Sequence, residues 1–72
     1  MADFETIIAN EITRTEEAHK RTGGMAQALL GGRLASLRRG VTDLETFRKD
    51  GTITKIVIDP HSGRVQFEML EN

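Results

Sequence analysis

Along the first third of the chain the apolar positions recur at helical spacing. Phe4, Ile7, Ile8, Ile12, Thr15 and Ala18 share one stripe, interrupted by Glu11, while Glu5, Glu16 and Glu17 lie largely off it. Asp3 is a good N-cap, Glu5 stands in the first turn where the helix dipole favours an acid, and Lys20 and Arg21 bring the opposite sign to the far end. Thr22-Gly23-Gly24 then breaks the pattern. A helix is predicted over 3–20.

The period resumes in Leu30, Leu34 and Leu37, which predicts a second helix over 25–39. Gly31-Gly32 in its middle costs about 2 kcal/mol relative to two alanines. Either the helix is continuous and the glycines permit a close crossing, the favoured arrangement, or the chain turns there between two short helices. Gly24, Ala28, Gly32 and Ser36 fall every fourth residue and draw a stripe of small side chains along one face. Gly40 is expected to stop the helix. Thr42-Asp43-Leu44-Glu45 then has the spacing of a capping box, which predicts a short third helix over 43–49 with Leu44 and Phe47 turned inward.

The last third changes period. Residues 52–58 and 64–70 read as alternating or β-branched strands on either side of Asp59-Pro60-His61-Ser62-Gly63, a run of turn formers. With a four-residue loop over 60–63, Ile58 meets Val65, Ile56 meets Phe67 and Thr54 meets Met69 on one face. On the other, Asp59 meets Arg64, Val57 meets Gln66, Lys55 meets Glu68 and Ile53 meets Leu70. That register gives an apolar face and two opposite-charge pairs together, and a slip of one residue destroys both. The fold class is therefore α+β: an N-terminal helical pair, a short third helix and a C-terminal antiparallel hairpin, all in one small domain over 1–72.

Size and composition change this picture in one respect. A chain of 72 residues with no Cys and no Trp or Tyr has little core and no disulfide to reinforce it. A partner subunit is the remaining source of stability, so a homodimer is expected. The small-residue stripe Gly24, Ala28, Gly32 and Ser36 suits a close two-fold crossing, and the outer hairpin face with Ile53, Val57 and Leu70 offers a second contact. Alternatively, the first helix covers the stripe within the chain.

Charge is segregated more than the net value of −1 suggests. Residues 1–17 carry five acids and one base, whereas residues 18–42 carry Lys20, Arg21, Arg33, Arg38 and Arg39 with no acid. The basic block over 20–39 is either a phosphate-binding surface or the complement of the acidic first helix. Around Gly31 it has a faint helix-turn-helix pattern, with Arg33, Ser36 and Arg38 facing a groove, but Gln27 and Gly32 stand where that motif wants other residues.

No nucleophile or phosphate-loop motif occurs, and His19 and His61 lack metal-ligand spacing. No catalytic residue, metal or cofactor is expected. No apolar run approaches the length of a membrane span, and the first residues lack the pattern of a signal peptide, so a cytoplasmic location is expected. The function these features favour is a small non-enzymatic protein-interaction module, regulatory or assembly-adaptor in type, of the kind common among short bacterial or phage proteins. The alternative is nucleic-acid binding through Arg33, Arg38 and Arg39, and a minimal enzyme active only as an oligomer comes third.

Overall fold

Asp3 caps the first helix as its side chain suggests. In the computed structural model, which describes residues 3–70, its carboxylate accepts from the Thr6 N–H at 2.9 Å and its carbonyl accepts from Ile7 at 3.1 Å. Helix α1 spans Phe4–Arg21, and helix α2 spans Gly24–Asp50. The turn between them is so short that they run antiparallel. Gln27 closes it by donating its side-chain N–H to the His19 carbonyl at 3.0 Å, which satisfies one of the free carbonyls at the end of α1. The acidic and basic segments meet within the chain, Glu11 with Arg33 at 3.0 Å and Glu16 with Arg38 at 3.6 Å, and beyond the basic block Glu5 meets Arg48 at 3.8 Å.

α2 corrects two expectations. It is continuous through Gly31-Gly32, the favoured arrangement, but it also runs through Gly40 and Thr42 without interruption. The predicted helices 25–39 and 43–49 are one element of 27 residues, roughly 40 Å long at the usual rise. No capping box forms. Thr42 sits in the helix interior, where its carbonyl accepts from the Thr46 hydroxyl at 3.3 Å. The reason is the core: Leu37 and Leu44 are both essentially inaccessible and lie two helical turns apart, and a break between them would separate them.

After Gly51 the chain forms strands β1 (Ile53–Ile58) and β2 (Val65–Met69), paired antiparallel. Lys55↔Glu68, Ile56↔Phe67, Val57↔Gln66 and Ile58↔Val65 stand opposite one another as the charge and apolar pattern requires. Lys55 and Glu68 approach to 3.8 Å. The far end differs from expectation. An irregularity between Ile53 and Lys55 sets Ile53, and not Thr54, opposite Met69. This bulge leaves Thr54 and Lys55 both exposed and turns Ile53 from the outer face to the core.

The loop works through Asp59. Its carboxylate accepts from the backbone N–H groups of His61 at 2.8 Å and Ser62 at 2.9 Å, and its carbonyl accepts from Gly63 at 3.0 Å. The expected pairing with Arg64 is made by backbone alone, Asp59 N–H donating to the Arg64 carbonyl at 2.9 Å. The Ser62 and His61 amides hold the Asp59 carboxyl below its ordinary pKa, as Thr6 does for Asp3. Their contribution to stability is therefore complete above the ordinary carboxylate range and is lost as pH falls through the lowered values.

The core is Ile8, Leu37, Leu44 and Val65, with Phe4, Ile12, Val41, Ile53, Ile56, Ile58 and Phe67 packed around it. Phe47 and Phe67 add a tilted ring pair with centroids 5.1 Å apart. Leu29, off the stripe of Leu30, Leu34 and Leu37, is 71% exposed.

Candidate interaction surface

Besides the shared apolar core, three close contacts fix the hairpin on the helices through backbone or a half-buried charge. At the first, Gly40 is buried under Val65, so close that a Cβ there would stand 2.5 Å from one valine methyl. At the second, the loop glycine Gly63 has φ +75° and lies against the backbone of Arg33.

The third contact is the Arg33 side chain. Its guanidinium donates to Thr15 Oγ1 at 3.1 Å, to Glu11 Oε2 at 3.0 Å and to the Pro60 carbonyl. One side chain thus ties α1, α2 and the loop together, with its own surface only 15% exposed. We expect Arg33→Met to lower the unfolding free energy by about 1.5–3 kcal/mol, the range for hydrogen bonds to charged groups. Arg33→Lys should lose most of the same amount, because a single ammonium does not reproduce the planar fork that reaches three acceptors. Urea denaturation of the two variants tests this; a lysine variant as stable as wild type would refute it.

Both edges of this two-stranded sheet are unpaired, and the β2 edge is the one that runs beside α2. In an antiparallel pair, alternate residues turn their N–H and C=O groups toward the partner strand. Asp59 and Arg64 form such a bonded pair, so Val57/Gln66 and Lys55/Glu68 do too. The backbone groups of Val65 and Phe67 therefore point away from β1. Beside them, between β2 and α2, lies an open groove of about 1110 Å³. Ser36, Arg39, Asp43 and Phe47 line its helical wall, and Arg64 and Glu68 belong to its strand wall.

The residues singled out from sequence do not form one patch. Gly24, Ala28 and Gly32 are exposed along α2, and a Cβ at Gly24 or Gly32 would meet nothing within 4 Å. α1 packs instead against the neighbouring face that carries Gly31 and Leu34. Ser36 lines the groove, Val57 and Leu70 are exposed, and Ile53 is in the core. Arg33 is consumed inside the fold, Arg38 faces Glu16 and Arg39 stands at the groove wall. Gly40, Asp43, Phe47, Arg64 and Glu68 are the site residues that sequence reasoning missed. Gly40 had a signal, since it is the next position four residues beyond Ser36 on the small-residue stripe.

Among the described residues no three His, Cys, Asp or Glu side chains are grouped to hold a metal ion, and no helix is long and apolar enough to cross a membrane. Comparison with family models, curated proteins and solved structures finds no match to this chain.

Proposed function

We propose that the chain is a small non-enzymatic protein-interaction module, of the regulatory or assembly-adaptor type, working in the cytoplasm. The observation that carries this reading is the open edge of β2 beside the α2 groove. Unpaired strand edges are templates for another chain, and strand addition to an exposed sheet edge is a recurring mode of recognition. The acids of α1 that face α2, at Glu5, Glu11 and Glu16, are each turned onto an arginine, which leaves them engaged in holding the helices together. The nucleic-acid reading loses Arg33 to contacts within the fold and has Arg38 turned onto Glu16, which leaves Lys20, Arg21 and Arg39 as the exposed bases of the 20–39 block.

Affinity capture from a lysate of the source organism, with and without nuclease, separates the two. A protein that stays bound after nuclease treatment in moderate salt, and is lost from the groove variant Arg39→Glu, supports the module. Recovery that disappears with nuclease, together with duplex binding tighter than the non-specific range of ~10⁻⁴–10⁻⁶ M, would replace it by nucleic-acid binding.

A further inference from the structure

The edge of β2 has a property that singles out one occupant: it is complementary to itself. Arg64, Gln66 and Glu68 follow one another on the outward face, a base and an acid placed symmetrically about an uncharged residue. We propose that β2 pairs antiparallel with β2 of a second copy, about a two-fold axis at Gln66. The inference deepens the interaction-module reading and rests on it.

In this register Arg64 of each copy faces Glu68 of the other, and Gln66 faces Gln66. Val65 and Phe67, whose backbone groups point outward, fall opposite Phe67 and Val65 of the second copy and exchange N–H···O=C bonds with them. Moving the axis to Val65 or Phe67 keeps the faces aligned but loses both Arg–Glu pairs, and moving it by half a residue puts core side chains against solvent-facing ones. The charges thus select one register of the set. Arg64 is free to serve, having no ion-pair partner among the described residues, and Glu68 is held only by the exposed Lys55 at 3.8 Å. The helical wall of the groove has the same character. Arg39 and Asp43 stand one turn apart on α2, so that wall too presents opposite charges when turned end for end.

The outcome is a four-stranded sheet in the order β1-β2-β2-β1, above two helical pairs. This pairing satisfies the outward backbone groups of Val65 and Phe67, which the hairpin itself leaves unpaired. The other edge is a poorer candidate. On β1 the equivalent pairing sets Lys55 against Asp59, but that carboxylate already accepts from His61 and Ser62. The groove described above also lies between β2 and α2.

The test uses charge reversal on the two positions. Arg64→Glu alone sets acid against acid at both contacts, and Glu68→Arg alone sets base against base. Each variant should weaken self-association by a factor on the order of ten or more. Mixed together, the two variants restore both opposite-charge contacts and should form a heterodimer. Light scattering on a sizing column reads the masses, and far-UV circular dichroism checks that each variant is folded. Lys49→Glu alone and Glu45→Arg alone, both exposed on α2, make the same two changes in net charge away from the edge and should not behave this way.

Amide exchange on the wild type gives a readout without mutation. Protection of the Val65 and Phe67 N–H groups should rise with protein concentration, whereas Gln66 and Glu68, bonded to β1, should be protected throughout. A wild type at single-chain mass in the high micromolar range overturns the pairing. So does a dimer that survives in both single variants, variants whose mixture stays monomeric, or concentration-dependent protection at Ile56 and Ile58 in place of Val65 and Phe67. A monomer would leave capture of a different protein through the groove untouched, while nuclease-sensitive capture would remove the module reading without touching the dimer.

Discussion

Gly40→Ala should destabilise the protein by about 2 kcal/mol, although alanine is a better helix former than glycine by roughly 1 kcal/mol. The sign follows from space. The new Cβ would lie 2.5 Å from Cγ2 of Val65 and 2.9 Å from its Cβ, so no rotation of the valine relieves the contact. β2 must lift off α2 and draw Val65 away from Ile8, Leu37 and Leu44. Gly32 is the internal control. Nothing lies within 4 Å of a Cβ there, so Gly32→Ala in the same helix should stabilise by about 0.5–1 kcal/mol. Urea unfolding of both variants measures the contrast, and two changes of the same sign would contradict it. Val65→Ala should also cost less in the Gly40→Ala background than in wild type, since the two positions share the crowded contact.

Gly63→Ala should be costlier still, at about 2–4 kcal/mol, because strain and crowding act together. The residue has φ +75°, a conformation that disfavours side chains, and its Cβ would stand 2.7 Å from the Arg33 carbonyl oxygen and 2.7 Å from Arg33 Cγ. Backbone does not step aside as a side-chain tip does. The displaced loop would also carry the Pro60 carbonyl away from the Arg33 guanidinium. Gly63→Asn distinguishes the two causes, since asparagine tolerates positive φ but brings the same Cβ. It should remain nearly as unstable as the alanine variant in thermal unfolding; restoration to wild-type stability would mean that strain alone was responsible.

Much of the fold is written in short-range signals. Asp3, the last-turn bases of α1, the Asp59 turn and the Lys55–Glu68 register are all local statements about caps, dipoles and pairing, and the structure keeps them. Gly40 and Thr42 were misread for the same reason. A glycine followed by T-x-x-E looks like an end and a beginning, yet the contact that uses Gly40 comes from Val65, far along the chain. The bulge at Thr54 has no residue to announce it, and it reverses the side of Ile53. The three elements tied by Arg33 include two that are distant in sequence, so its charge was legible and its employment was not. The groove at β2 was hidden for a further reason: it exists only because an uninterrupted α2 passes beneath the strand edge.

The way the two hairpins meet also bears on how the chain reaches its native state. The helical pair closes through Thr22-Gly23 and the β pair through the Asp59 loop, so both assemble from neighbours in sequence and lose little chain entropy in doing so. Gly51-Thr52 then leaves a single search, the docking of one finished hairpin on the other. Topologies built from such neighbouring contacts fold quickly.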